Sequence, residues 1–172
     1  MKQEMLMDMK VRGKKFSFAV VRKTLPNGLR VEVDRIEHPG AVLIIPFLTK
    51  DKVVFLDQYR PVLGRYLLEL PAGTLDKNER PLLCARRELI EETNYKAGRL
   101  QRLGRIYPVP GYSTEIIYIY KAEGLTREKG TKDKDEIIRP RILTKMEAKK
   151  IFRKGCIHDA KTICGLVLCG WL

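Results

Sequence analysis

The chain has 172 residues, of which 44% are hydrophobic and 32% are charged, a composition typical of one globular domain with a sizeable buried core. No apolar run approaches the roughly 18 residues that span a bilayer, and acidic residues occur within the first ten positions, so we expect neither a membrane association nor a secretory signal. The formal net charge is +13, but Lys and Arg are spread along the chain without interleaved aromatic residues, which favours a phosphate-bearing small molecule over a nucleic acid as the ligand.

The first seventy residues are rich in predicted β-structure. Five segments have the composition of strands: residues 16–25, 29–36, 41–48, 53–59 and 65–70. Pro26-Asn27-Gly28 joins the first two, which is a strong hairpin signal. The third is a continuous apolar run, which predicts a strand buried on both faces.

A helix with clustered acidic residues follows. Pro81 suits the first helical turn, and the segment from there to Thr93 is predicted to be helical. At roughly 100° per residue, one broad side carries the apolar residues Leu82, Leu83, Ala85, Leu89 and Ile90. Glu88, Glu91 and Glu92 project from the other side, where we expect them to be exposed.

This acidic side predicts a metal site. Glu88 and Glu92 are one turn apart and repel one another, and hard divalent cations take oxygen ligands. The alternative is a solvated acidic face on a surface helix, on which Arg87 pairs with Glu91.

Two further strands and two further helices are predicted beyond the acidic helix: strands over residues 100–107 and 115–121, and helices from Thr144 to Gly155 and from Asp159 to Leu172. Thr144 and Glu147 form a capping box, and Asp159 suits an N-cap. Residues 108–113, with two prolines and a glycine, predict a loop, as does the basic stretch 126–134. Strands around a buried helix predict a mixed α/β sandwich.

Other chemistry has little support in the sequence. The four cysteines form no C-x-x-C pair, so we expect free thiols and a cytoplasmic protein. His38 and His158 are too far apart to suggest a zinc site. The acidic pair Asp135-Glu136 has the character of a charged loop edge, and we do not assign it to a site.

The segment from Gly73 to Tyr95 resembles the signature of the Nudix hydrolases, G-x5-E-x7-R-E-U-x-E-E-x-G-U, in which U is a bulky aliphatic residue. Every charged position and the first glycine match. Asn94 replaces the second glycine, and Tyr95 replaces the final aliphatic residue. Because Asn tolerates the left-handed conformation of a helix C-cap, we expect the turn after the helix to be kept.

Shorter segments resemble the ADP-ribose pyrophosphatase branch of this family: Leu25-Pro26-Asn27-Gly28, Gln58-Tyr59-Arg60, Glu69-Leu70-Pro71-Ala72-Gly73, Pro110-Gly111-Tyr112-Ser113-Thr114-Glu115 and Asp159-Ala160-Lys161-Thr162. The resemblance implies an α/β (α+β) fold, a Nudix-type α/β/α sandwich with a mixed sheet over residues 39–172. It also implies an N-terminal antiparallel β element over residues 1–38, exchanged between the subunits of a homodimer.

The resemblance further implies hydrolysis of the pyrophosphate bond of ADP-ribose to AMP and ribose 5-phosphate, with Mg²⁺ as cofactor and Mn²⁺ as a substitute. One alternative is another nucleoside diphosphate sugar, such as GDP-mannose, which would use the same metal helix and a different base contact. A second alternative is a non-catalytic module that binds nucleotides or RNA. The glutamate cluster argues against that module, because a pure binder would not need it.

The expected metal ligands are Glu88 and Glu92, with Glu91 binding directly or through water. The resemblance implies the backbone carbonyl of Ala72 as a further ligand.

The other expected site residues are charged. Arg87 is expected to neutralise and position the glutamates, and Glu79 to orient Arg87 or a bound water. Glu115 is the candidate general base, because it follows a loop able to close over the substrate. The guanidinium of Arg60 matches phosphate oxygens, with a surface salt bridge as the alternative, and Glu69 is expected to bind ribose hydroxyls or the adenine side.

Overall fold

The computed structural model describes residues 6–131 and 136–172. The strands in these residues are β1 (Leu6–Arg12), β2 (Ser17–Thr24), β3 (Arg30–Glu37), β4 (Ala41–Thr49), β5 (Lys52–Arg60), β6 (Arg65–Glu69), β7 (Ala72–Thr74), β8 (Tyr95–Ile106), β9 (Ile117–Arg127) and β10 (Ile138–Thr144). The helices there are α1 (Pro81–Thr93), α2 (Lys145–Arg153) and α3 (Ala160–Leu168). Across the described ranges, none of the helices has the length and apolar character needed to cross a membrane.

The strands form two sheets. β1, β2 and β3 make an antiparallel sheet in that order. The larger sheet has the order β10-β5-β4-β9-β8, with β6 paired to β5 and β7 paired to β4. β4 and β9 run parallel, from Ala41 opposite Ile117 to Pro46 opposite Ala122, whereas the other pairs are antiparallel. The larger sheet is therefore mixed, as the sequence predicts.

Helices cover both faces of the mixed sheet. Successive residues of a strand point to opposite faces, so Leu43 and Val42 of β4 lie in different cores. Leu43 packs in one core with Ala148 of α2 and Leu166 of α3. Val42 packs in the other core with Leu89 of α1, and complete burial of one such leucine contributes roughly 1.5–3 kcal/mol. These layers confirm the predicted α/β/α sandwich.

The acidic helix α1 has the bounds predicted from the sequence. Pro81 is its first residue, and Asn94 at its end adopts the left-handed conformation with φ 57° and ψ 34°. The Asn94 side chain also accepts a hydrogen bond from the backbone N–H of Gly130 at 3.1 Å, which fixes the turn. Leu83, which the helical period places on the apolar side, is instead 53% exposed.

The last helix ends at Leu168 and not at Leu172 as predicted. Gly170 adopts a φ of 73°, which turns the chain back towards the sheet. The buried Trp171 then packs edge-on against Phe47, with 5.6 Å between the ring centroids. An apolar run after a helix has the same composition whether the helix continues or the chain folds back into the core.

Several strands differ from the prediction. The sequence did not indicate β1, β7 or β10, and β8 begins at Tyr95 rather than at residue 100. β9 extends to Arg127, so the loop predicted over residues 126–134 begins inside a strand, and residues 132–134 of that loop lie outside the described ranges.

The small sheet is joined to the loop before β9. Ile36 of β3 donates its backbone N–H to the carbonyl of Tyr112 at 2.7 Å and accepts from the N–H of Thr114 at 3.0 Å. The N–H of His38 donates to the Thr114 hydroxyl at 2.9 Å. These bonds fix the loop that leads to Glu115. The division into domains at residue 38 and the exchange between subunits stay predictions.

Candidate active site

A cavity of about 890 Å³ opens beside α1, in the size range of small-molecule sites. Its wall includes the backbone of Ala72 and Gly73, the carboxylates Glu88, Glu115 and Glu136, and the cations Arg60, Lys77 and Lys161. The last residue of β1, Arg12, and two residues of the following turn, Lys14 and Lys15, also line the cavity. The cavity thus brings acidic side chains and cations to a single space.

The carboxylates that the sequence places on an exposed helix face are buried. Glu88 is 8% exposed and Glu92 is 1% exposed, because α1 packs its acidic side against β7. One oxygen of Glu92, Oε2, accepts the backbone N–H of Ala72 at 2.9 Å. The other oxygen, Oε1, is buried and has no hydrogen-bond partner among the described residues. Burial, followed by the charge of Glu88, raises the pKa of Glu92 well above its ordinary value.

Gly73 leaves the space that Glu88 occupies. A Cβ added at Gly73 would lie 1.9 Å from both the carboxyl carbon and Oε1 of Glu88. The backbone of β7 therefore approaches this carboxylate more closely than any residue with a side chain would permit. Burial raises the pKa of Glu88 to about 7, although the neighbouring Arg87 opposes the shift.

Arg87 binds three glutamates at once. Its Nε and Nη2 donate to the two oxygens of Glu79 at 3.0 Å each, and these bonds lower the pKa of Glu79 to about 2. Its Nη1 donates to Glu88 at 2.6 Å and to Glu91 at 3.1 Å. The simple Arg87–Glu91 pair of a solvated surface face is thus one contact of a larger network. This network brings together four of the residues that the sequence singled out.

The chemistry of this wall fits a divalent cation. A buried carboxylate oxygen without a donor is costly, and a second carboxylate one turn away adds repulsion. A cation held by Glu88 and Glu92 would satisfy Oε1 of Glu92 and remove that repulsion. Within the described ranges no three acidic, histidine or cysteine side chains form a complete metal cluster. The remaining ligands would have to be waters and backbone carbonyls, which Mg²⁺ accepts readily.

Glu115 reaches the cavity from the loop before β9. Its backbone N–H donates to the hydroxyl of Ser113 at 3.1 Å, and its Oε1 lies 3.9 Å from Nδ1 of His38. Nδ1 of His38 accepts the N–H of Gly40 at 3.1 Å, a bond within the turn between β3 and β4. Glu115 therefore lies at a wall of the cavity outside α1.

Glu136 also lines the cavity, although the sequence does not point to a role for it in a site. It lines the wall with Glu88, and its charge contributes to the raised pKa of both Glu88 and Glu92. The sequence around Glu136 does not indicate a site, because this mostly basic stretch shows neither a helical nor a strand periodicity. Asp135, the other member of the pair, lies outside the described residues.

Glu69, which is predicted to bind ribose hydroxyls or the adenine side, does not line the cavity. Its side chain is fully buried, and Arg60 donates Nε and Nη2 to its two oxygens at 2.7 and 2.6 Å. Lys161 donates to Oε2 as well, and also to Asp159 at 2.7 Å. Burial raises the pKa of Glu69, but Arg60 and Lys161 outweigh burial and the pKa is lowered. Direct contact of Glu69 with a sugar or adenine is thus replaced by contact with two cations.

Lys161 is a cavity residue that the sequence did not single out by itself. It lies two positions after Asp159, which caps α3 by accepting the N–H of Thr162 at 2.9 Å as predicted. Its presence in one of the branch-like segments was the only available signal.

Known proteins share this domain and fold. Residues 37–162 match the model of the NUDIX domain. The chain is 36% identical over 152 residues to an ADP-ribose pyrophosphatase of Bacillus subtilis, covering 87% of this chain and 82% of that protein. It is 38% identical over 141 residues to a methanol dehydrogenase activator of Bacillus methanolicus, covering 81% and 76%. It is 35% identical over 133 residues to a GDP-mannose pyrophosphatase of Salmonella arizonae, covering 72% and 69%.

A solved structure extends the comparison to the whole fold. The crystal structure of an ADP compounds hydrolase superimposes with a TM-score of 0.79, covering 97% of this chain and 92% of that chain at 23% identity. The small N-terminal sheet is thus included in the overlap, together with the sandwich.

Proposed function

This chain belongs to the Nudix domain family, and from that premise we propose that it hydrolyses the pyrophosphate bond of ADP-ribose to AMP and ribose 5-phosphate. The observation that carries the proposal is a pair of buried carboxylates one helical turn apart: Glu88, which lines a cavity that also contains cations, and Glu92, which accepts the backbone N–H of the lining residue Ala72. The relative named as an ADP-ribose pyrophosphatase supports the choice of substrate.

We propose Glu88, Glu92 and the carbonyl oxygen of Ala72 as ligands of Mg²⁺, with Glu91 as a direct or water-mediated ligand and Mn²⁺ as a substitute metal. When bound, the ion supplies positive charge that neutralises phosphate oxygens and favours the ionised form of a water. The unpartnered Oε1 of Glu92 supports this assignment.

Arg87 holds the ligand helix in a state that can accept the ion. Its Nη1 bridges Glu88 and Glu91, which would otherwise repel one another, and its bonds to Glu79 keep the guanidinium in place. Arg87 is thus a positioning residue, and Glu79 positions Arg87. Arg60 binds phosphate oxygens with the donors that Glu69 leaves available.

We assign the general base to Glu115, and Glu136 is the competing candidate because it lines the same cavity. Loss of a general base typically lowers turnover by about 10²–10⁴-fold. Glu115→Gln and Glu136→Gln are therefore compared for kcat and KM on ADP-ribose, with Glu123→Gln as a control, since Glu123 pairs with Lys121 away from the cavity. A fall of kcat that exceeds the change in KM identifies the base. If only Glu136→Gln shows this fall, the assignment to Glu115 is wrong.

A substrate panel tests the reaction itself. ADP-ribose, GDP-mannose and other nucleoside diphosphate sugars are offered with Mg²⁺, and the released monophosphate is measured. We expect the highest kcat/KM for ADP-ribose. A tenfold preference for GDP-mannose would establish the alternative that the Salmonella arizonae relative supports. Absence of cleavage of any sugar, together with RNA binding that weakens steeply with salt, would favour the non-catalytic module.

The homodimer and the cytoplasmic location belong to the same proposal. Cys84, Cys156, Cys164 and Cys169 are free thiols, as expected of a protein in a reducing compartment. Light scattering after gel filtration tests the assembly, and a monomer at micromolar concentration would refute the dimer.

A further inference from the structure

We propose that Lys161 is a substrate-binding residue that forms, together with Arg60, a pair of cations for phosphate oxygens. In this pair Glu69 is the positioning residue. The inference rests on the proposed function for the identity of the substrate, but the cation pair itself requires only a ligand with a diphosphate.

The pair is held by one buried carboxylate. Glu69 lies fully inside the protein, and its two oxygens accept Nε and Nη2 of Arg60 at 2.7 and 2.6 Å. Nζ of Lys161 donates to Oε2 of the same carboxylate. These contacts join the ends of β5 and β6 to the first turn of α3. Both cations are therefore fixed in place before any ligand arrives.

The cluster of Arg60, Glu69, Asp159 and Lys161 presents hydrogen-bond donors to the cavity, because the carboxylate oxygens of the cluster already accept hydrogen bonds within the protein. Each oxygen of Glu69 accepts a hydrogen bond, and Asp159 accepts Lys161 on Oδ1 and the N–H of Thr162 on Oδ2. Among the described residues, Arg60 uses two of its five donors and Lys161 uses two of its three. The remaining donors suit a ligand rich in acceptors, and a diphosphate has that chemistry.

The position of the pair matches such a ligand. The side chains of Arg60 and Lys161 are 35% and 18% exposed, and both line the cavity that contains Glu88 and Ala72. A diphosphate held at the wall of Glu88 can therefore meet both cations without leaving the cavity.

Lys161 is not needed to neutralise Glu69. Arg60 alone neutralises Glu69 through two charge-assisted bonds, which is the strong geometry for a buried carboxylate. Lys161 donates to Asp159 as well as to Glu69, so the two cations and the two carboxylates balance in charge. An anion in the cavity is therefore bound by the donors that Arg60 and Lys161 leave available, and not by a surplus of charge.

Removing the Lys161 ammonium tests the proposal. Lys161→Met is compared with the wild-type protein and with Lys150→Met, which removes an exposed lysine of α2 that does not line the cavity. The Kd of ADP-ribose is measured by calorimetry in EDTA, where no turnover occurs, and KM and kcat are measured with Mg²⁺. For Lys161→Met we expect Kd and KM to rise by about tenfold or more, equivalent to 1.4 kcal/mol, while kcat falls less. Lys150→Met should change neither value by more than about twofold on the same free-energy scale.

The alternative outcome has a distinct signature. If Lys161→Met lowers the melting temperature but leaves Kd and KM unchanged, Lys161 is only a counter-ion of Glu69 and the proposal is overturned. Should the methionine variant not fold, Lys161→Gln keeps a polar group beside Glu69 and is measured in the same way, with the same two outcomes. Glu69→Gln should raise Kd further than Lys161→Met, since it releases both cations.

The test separates the cation pair from the proposed reaction. If the wild-type protein binds ADP-ribose in EDTA, loses affinity in Lys161→Met and does not cleave the sugar with Mg²⁺, the reaction is wrong and the pair stands. If the wild-type protein cleaves ADP-ribose and Lys161→Met matches it in Kd and KM, the pair is wrong and the reaction stands.

Discussion

Replacing Gly73 with alanine is expected to remove most of the turnover while the protein still folds. Gly73 lies in β7 and lines the cavity next to Glu88, the proposed metal ligand. The added Cβ would lie 1.9 Å from the carboxyl carbon and Oε1 of Glu88, and 2.3 Å from its Cγ. No rearrangement of the new methyl group can avoid this overlap, so the glutamate has to move.

The size of the effect follows from these distances. Non-bonded carbon atoms rest about 3.5–4.0 Å apart, so the carboxyl group must move by about 1.5–2 Å. Such a movement breaks the 2.6 Å bond between Glu88 and Nη1 of Arg87. Misplacement by about 1 Å in an active site can reduce the rate by about 10²-fold, and we expect a fall in kcat of at least that size. The loss of folding free energy should stay near about 1–3 kcal/mol, because the atoms that yield belong to a flexible side chain.

The assay measures kcat on ADP-ribose at saturating Mg²⁺ and the melting temperature of the same samples. Gly104→Ala is the matched control, because a Cβ there would meet only the side chain of Leu168 at 3.7 Å, an ordinary contact. A folded Gly73→Ala protein with kcat within about threefold of the wild type would refute the reasoning, since a shift that small is far below the expected loss.

Three further predictions concern charge and capping. The pKa of Glu88 is raised from the ordinary 4.5 of a glutamate to about 7, so the stability of the metal-free protein should fall as the pH rises through this range. For the same reason, Mg²⁺ should raise the melting temperature more at pH 8 than at pH 5. An equal rise of the melting temperature at both pH values would contradict this assignment. Glu92→Gln should lower kcat by orders of magnitude and raise the melting temperature of the metal-free protein at pH 8, because it removes a buried charge; a lower melting temperature would count against the cost assigned to that charge. Thr144→Ala removes the capping box of α2 and should cost about 1 kcal/mol in chemical denaturation with kcat unchanged, whereas a loss of kcat would link α2 to the site.

The acidic helix was predictable because its signals are local. Pro81 and Asn94 set its ends through backbone conformation, and both act within one turn of the residues they limit. The burial of Glu92 could not be predicted in the same way. The strand that covers Glu92, β7, is only three residues long and shows no alternation of polar and apolar residues. The helical periodicity alone therefore predicted that the acidic side of α1 is exposed to solvent.

The role of residues such as Lys161 depends on contacts between distant parts of the chain, which the local sequence does not indicate. Lys161 and Glu69 are 92 positions apart, and no local feature of the sequence indicates that they are in contact. β10 was missed for a different reason, because it contains Pro140. A proline is tolerated there since β10 pairs with β5 at the edge of the sheet.

The carboxylates of the proposed site destabilise the fold that contains them. Among the described residues, Glu79, Glu88 and Glu91 share the guanidinium of Arg87, and Glu92 accepts one hydrogen bond, from the N–H of Ala72. The acidic side of α1, which meets the cavity at Glu88, is therefore short of positive charge, although the whole chain carries a net charge of +13. Buried charges without partners are retained where they bind something, because replacing them with apolar groups would stabilise the fold. The local deficit thus argues for a cation at this wall, and the surrounding excess argues for an anionic substrate drawn towards it.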